Sequence, residues 1–315
     1  MRSVIAAAMV ALALSGSVQA SNTVAVIESI DPSLPAGVEV DVVGADSPLR
    51  VRVRGHAVEV RGYEDEPYLR IDADGSAWIN DVSVSAALNE DRYGSDAGPQ
   101  LPSAEPEWRR TRPDATLMWH DHRVHWMSRS DPPVLDEEGR VLEFAVPVVV
   151  DGTVHTVAGT LYLRPDASAA WWTGALLAAV AVAVLRRRRT VTIAASTGLA
   201  VAGVAVGAAQ WFSLPDGARM APLLAGFAGL ALVLVVVTLL PVVRRAHDVT
   251  AAVMAGVGAS FMVGAWLCSE QVRSAWVPGA DWQARVFVPI MLGWGAAIVV
   301  DGVMTILRPR PSAVA

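Results

Sequence analysis

Residues 118–127 read Met118-Trp119-His120-Asp121-His122-Arg123-Val124-His125-Trp126-Met127, and they hold three of the chain's six histidines. Imidazole and thioether together are ligands that suit copper, Met favouring Cu(I) and His accepting either oxidation state. If the stretch is a strand, Met118, His120 and His122 share one face, because side chains alternate. His120 and His122 then stand about 7 Å apart at Cα, close enough for both rings to reach one ion. The expected ligand set is Met118, His120 and His122, with His125 as a further candidate. His125 faces the other way unless a bulge or a strand end turns it. His56 and His155, on other strands, are outlying candidates. Asp121 is the residue to hold a histidine ring N–H, the usual support behind a ligating imidazole, and Arg123 is its neighbour on the opposite face.

The same residues carry a second reading. Trp119 and Trp126 fill a core, Asp121 pairs with Arg123, and the histidines complete a hydrogen-bonded network with no metal. Acid–base catalysis is the third reading. His and Asp are the right types for it, but no G-x-S-x-G or similar nucleophile context accompanies them. No catalytic residue is assigned on this basis. The single cysteine, Cys268, excludes an intramolecular disulfide and a Cys-rich metal site.

The elements that must position the motif divide the chain in two. Residues 1–20 read as a secretory signal peptide: Arg2, an apolar core from Val4 to Leu14, and Val18-Gln19-Ala20 as a small-residue cleavage site. Residues 21–168 follow as an extracytoplasmic domain. Within 21–169 there are 26 acidic residues against 13 arginines, a net of −13, whereas the rest of the chain is net +7. That acidity argues against a nucleic-acid partner. Val38–Val43, Leu49–Arg54 and Val58–Arg61 alternate apolar and polar with the period of a strand. Asp72-Ala73-Asp74-Gly75 and Asp151-Gly152 are hairpin turns between further strands. The expected fold is an all-β sandwich of immunoglobulin type, with 94–115 as a long loop.

Apolar stretches at about 169–185, 190–212, 220–243, 249–268 and 286–307 predict an all-α domain of five transmembrane helices, each near the ~20 residues that cross a bilayer. Residues 308–315 form the tail. Arg186–Arg189, Arg244-Arg245 and Arg308 with Arg310 all fall on one side of a five-span topology. The positive-inside rule makes that side the cytoplasm and puts the N-terminal domain outside. Gly203 with Gly207, and Gly256, Ser260 and Gly264, are small-residue rows that let helices approach closely. Asp301 is the one acid well inside a span, expected to pair with Arg308 or to bond to a neighbouring backbone. A mean hydropathy of +0.40 agrees with membrane residence.

The phrase Trp119-His120-Asp121-His122-Arg123 with His125-Trp126-Met127 resembles a family of uncharacterised membrane proteins from high-GC Gram-positive bacteria. Gly62-Tyr63, Glu66-Pro67-Tyr68-Leu69-Arg70, Val146-Pro147 and Val150-Asp151-Gly152 carry the resemblance through most of the extracytoplasmic domain. The layout is also similar, more loosely, to copper-resistance proteins that join an immunoglobulin-like copper domain to membrane helices. This chain departs from those at Ser21-Asn22, where their domains start with His, and in having no histidine within its spans. The first resemblance implies no particular activity, and the second implies copper as a candidate ion. The expected role is non-enzymatic binding or sensing at the outer membrane face, with copper handling through this motif. The rival expectation is a scaffold or assembly partner of another membrane or extracytoplasmic protein.

Overall fold

The computed structural model describes residues 21–46, 48–89, 105–111, 115–128, 130, 132–215, 218–219 and 221–308. The expected signal peptide, part of the 94–115 loop and all of the tail except Arg308 lie outside the described residues. The chain divides into two compact units, one on Ser21–Pro165 and the other beginning at Asp166.

The first unit is mostly antiparallel β. Its strands are β1 (Thr23–Asp31), β2 (Val38–Val42), β3 (Pro48–Val53), β4 (Val58–Arg61), β5 (Pro67–Ile71), β6 (Ala77–Asn80), β7 (Trp108–Arg110), β8 (Thr116–His120), β9 (Arg140–Val150) and β10 (Thr153–Leu163). One sheet runs β1-β10-β9-β4-β5-β6-β7 and the other β2-β3-β8. The period-two pattern explains the packing. Leu49, Val51 and Val53 face inward from β3, and Val146, Val148 and Val150 face inward from β9, all in one apolar core. Outward-facing Arg50 and Arg52 pair with Asp41 and Glu39 directly across on β2. Asp151 and Gly152 both have positive φ, 47° and 84°, as a two-residue type I′ hairpin between β9 and β10 demands. A seven-and-three division differs from the four-and-three of an immunoglobulin constant domain. Two strands were not legible as strands: β1, and β7 within the expected long loop.

A short helix, α1 (Val84–Leu88), follows β6. Ser83 caps it by accepting from the Ser85 and Ala86 N–H groups. The Glu66 carboxylate accepts from Ser83 Oγ at 2.7 Å and from Ser85 N at 3.0 Å. These bonds hold Glu66 below the usual carboxylate range although burial opposes them.

The second unit is helical. After a 3-10 turn at Ala169–Trp172 come α2 (Thr173–Leu185), α3 (Arg189–Phe212), α4 (Leu223–Val237), α5 (Pro241–Arg245), α6 (His247–Leu267), α7 (Glu270–Arg273) and α8 (Asp281–Leu307). Three of these, α3, α6 and α8, are long and apolar enough to cross a membrane. The other two expected spans form shorter apolar helices, Ala169–Leu185 and Leu223–Val237. The expected 220–243 span is cut back at both ends by proline. Pro222 stands at the N-cap of α4. Pro241 pushes Leu240 into extended backbone, at φ −62° and ψ 134°, and so ends the helical run. The last span starts a turn earlier than apolarity suggested. Asp281 and Arg285 pair across i,i+4, and Asp281 Oδ1, in the first turn, accepts from the Trp282 N–H at 2.8 Å. Packing runs through small residues. A Cβ on Gly207 would fall 2.4 Å from the Ala225 nitrogen, and one on Gly203 would meet Ala228 at 2.8 Å.

Candidate metal centre

The motif is not one continuous strand. β8 ends at His120, and residues 121–125 turn. Asp121 makes the turn. Its carbonyl accepts from Val124 N at 3.1 Å, and its Oδ1 accepts from Arg123 N at 3.0 Å. Aspartate at the first position of a turn does this routinely. Val124 then plugs the core at 0% exposure. The chain reverses, and His125 returns to the side of His120 and His122. The condition under which His125 joins the other two is met: a strand end and a turn bring it back.

The three imidazoles converge. Ring centroids are 4.3 Å apart for His120 and His125, 5.2 Å for His120 and His122, and 5.3 Å for His122 and His125. One ligand nitrogen from each lies within 4.8 Å of the others. Three nitrogens that share one ion through bonds of about 2.0–2.1 Å stand about 3.4–3.6 Å from one another. Ring movements of slightly more than about an ångström would close the difference. His125 is fully buried, while His120 and His122 are half-buried. The Nε2 atoms of His120 and His125 are closed to water. His125 Nδ1 lies 2.9 Å from the Trp126 carbonyl. A carbonyl only accepts, so Nδ1 carries a proton, and in the neutral ring Nε2 is left with the lone pair. That is the tautomer a metal requires.

Met118 stands two residues before His120 on the same face of β8, opposite Arg50. His56 and His155 are engaged elsewhere. His56 Nδ1 meets Asp151 at 2.7 Å, and His155 Nδ1 meets the Pro32 carbonyl at 2.6 Å.

Asp121 takes the role that the second reading gave it, pairing with Arg123. Its side chain is fully buried, and its oxygens accept from Arg123 Nε at 2.9 Å, Arg123 Nη2 at 2.8 Å and Trp119 Nε1 at 2.9 Å. Burial alone would push its carboxyl up. The Arg123 guanidinium and the Trp119 and Arg123 N–H groups outweigh it and hold the carboxyl below the usual range. Asp121 and Arg123 thus frame the turn that carries the histidines, and the Trp126 carbonyl orients the buried ring.

Two framing residues were not visible as such in the sequence. Tyr63 donates to Asn89, and its oxygen accepts from His122 N at 2.9 Å. Arg123 stacks over the Tyr63 ring at 4.9 Å, and its Nη2 donates to the Arg61 carbonyl at 3.2 Å. Burial, followed by the nearby Asp121 charge, pushes the Tyr63 hydroxyl well above its ordinary range. The only sequence signal was Gly62-Tyr63, which stood among the resembling segments with no role attached.

Chemically, three neutral imidazoles at this spacing offer a set of nitrogen ligands with a further coordination position left open. The fit rests on the donor set and on the fixed tautomer of His125. No family model, curated protein or solved structure matches the chain.

Proposed function

We propose that this protein is a membrane-anchored, non-enzymatic metal-binding protein that holds a transition-metal ion on His120, His122 and His125. The observation that carries the reading is the convergence of three ligand nitrogens within 4.8 Å. Imidazole suits zinc, copper, iron and nickel, and among divalent ions affinity peaks at copper. Copper is therefore the ion we propose, with Met118 as the nearby soft group that favours the Cu(I) state. Three protein ligands leave a position for exchange with a partner or a small ligand, as closed structural sites do not. That favours handling or sensing over a purely structural ion.

The anchor is proposed to cross the membrane five times, with the β unit outside and the C-terminus inside. Apolar residues point outward even from the shorter helices: Leu176, Leu177, Val180 and Val184 on α2, and Leu230, Val233 and Val236 on α4. Such exposure suits lipid rather than water. If only the three long helices crossed, Arg186–Arg189 and Arg244-Arg245 would face opposite sides, against the positive-inside rule. Five crossings put every basic cluster on one side.

The Asp121–Arg123–Trp119–Tyr63 network favours a second reading. There the motif is internal glue, and the β unit is an assembly partner of another membrane or extracytoplasmic protein. One experiment separates the two. The full chain in detergent is titrated with Cu(I), Cu(II) and Zn(II) while its melting is followed. A hundredfold excess over Kd stabilises by about 2.7 kcal/mol. The double change His120→Ala with His122→Ala is expected to abolish the copper shift and leave the metal-free melt near that of the parent. No shift with any ion, together with unfolding of the metal-free double variant, would establish the glue reading.

A further inference from the structure

The helical unit contains a pocket of about 170 Å³ bordered by Arg186, Arg189, His247 and Asp301. Four helix ends meet there: the last residue before the α2–α3 link, the first residues of α3 and α6, and the last turns of α8. Neither Arg186 nor Arg189 forms an ion pair among the described residues, and the Asp301 carboxylate forms none either, so the expected pairing with Arg308 is not seen. The N-termini of α3 and α6 have no side-chain cap. α6 carries Asp248 in its first turn, whereas α3 has no acidic residue there, so it is the start of α3, with its first N–H groups and positive dipole end, that suits an anion. The pocket's hydroxyls are spent: Thr192, Thr250 and Thr305 donate to the carbonyls of Leu185, Val243 and Asp301. Its inner wall is apolar, with Val182, Ile193 and Ile298.

Two guanidiniums and the uncapped start of α3 outweigh one carboxylate, so the site selects an anion. Asp301 adds a requirement. A carboxylate beside an anion is tolerated where the ligand also presents a hydroxyl that donates to it. We propose that this pocket binds a hydroxyl-bearing phosphate ester, and specifically the headgroup of an anionic phospholipid of the phosphatidylglycerol type. The phosphate sits on Arg186, Arg189 and the start of α3, and the headgroup hydroxyl donates to Asp301. Basic pockets between membrane helices recognise lipid headgroups on this principle. The choice of lipid as source rests on the membrane reading of these helices; the phosphate-ester chemistry does not.

The test uses the full chain in uncharged detergent. Melting and native mass spectrometry are followed with phosphatidylglycerol, with phosphatidylcholine and with glycerol 1-phosphate as a soluble ester. Arg186→Gln with Arg189→Gln removes the site. Arg187→Gln with Arg188→Gln removes the same charge from residues that do not line the pocket. Phosphatidylglycerol is expected to bind and stabilise the parent and the 187/188 variant, and to bind the 186/189 variant at least about tenfold more weakly, as loss of charge-assisted bonds implies. Asp301→Asn, which keeps the side-chain shape, is expected to weaken phosphatidylglycerol more than phosphatidic acid, which lacks the headgroup alcohol. A response to glycerol 1-phosphate as large as that to the lipid keeps the site and moves its source to a soluble ester. Equal losses in the two arginine pairs, or no preference for phosphatidylglycerol over phosphatidylcholine with no response to the soluble ester, overturn the proposal. Failure of the membrane reading would show separately, as a chain that stays dispersed without detergent.

Discussion

Asp121 and Arg123, two residues apart, meet through two charged hydrogen bonds of 2.8 and 2.9 Å while the carboxylate is wholly buried. The pair closes the turn that returns His125 to His120. Stability and ligand geometry therefore share one contact, and separate substitutions distinguish them.

Removing one member of a buried pair strands the other, at a cost of about 3–5 kcal/mol. Asp121→Asn and Arg123→Gln are each expected to lower the melting temperature of the metal-free protein, Arg123→Gln more, because it strands a wholly buried carboxylate, whereas the Arg123 left by Asp121→Asn keeps some exposure. The joint change Asp121→Leu with Arg123→Met is expected to cost less than the sum of the two. Because the folded-state carboxyl is held below its ordinary range, the pair's contribution is present above the unfolded value of about 3.9 and is lost as pH falls through the depressed one. Acid melts of parent and Asp121→Asn should converge at low pH. Parallel curves across the whole range would deny the pair this role.

Metal affinity should fall steeply in acid. Ligand imidazoles must be neutral, and the ordinary histidine value is about 6.5. With three histidines engaged, the apparent association constant is expected to drop by up to about three decades per pH unit well below that value. Isothermal titration between pH 5 and pH 8 measures the slope. A slope near one would mean a single histidine ligand.

His56 and Asp151 form a separate, pH-windowed pair at the β9–β10 hairpin. The Asp151 carboxylate, followed by the Ala36 carbonyl, raises His56, and His56 lowers Asp151. The His56 contribution is present below about 6.5 and is lost as pH rises through its raised value; that of Asp151 is present above about 3.9 and is lost as pH falls through its lowered one. Both groups are solvent-accessible, so the stability effect is expected to be small. The clear readout is NMR titration of His56, whose midpoint should lie above the ordinary histidine value and return towards it in Asp151→Asn.

Topology is checked by labelling intact cells. A cysteine at the exposed Glu137 is expected to react with an impermeant reagent, and one at Thr190 to react only after lysis. The native Cys268 is 1% exposed and contributes little background. Reaction at position 190 from outside would refute the five-span orientation.

Alternation in β2, β3 and β4 made their inward faces legible, because a period of two leaves only one way to bury Leu49, Val51 and Val53. Apolar runs likewise located the helices, and the types of residue at 118–127 located the site. Helix ends were less legible, since Leu239 and Leu240 are apolar enough to extend a span that Pro241 ends. What only the tertiary structure decided is which histidines meet. The turn at Asp121 depends on Arg123, on Val124 finding room in the core, and on Tyr63 and Asn89, which hold the His122 N–H from 59 and 33 residues upstream. Local periodicity carries no information about partners so distant. A strand pattern therefore sends His125 to the wrong face, and only the folded sheet brings it back.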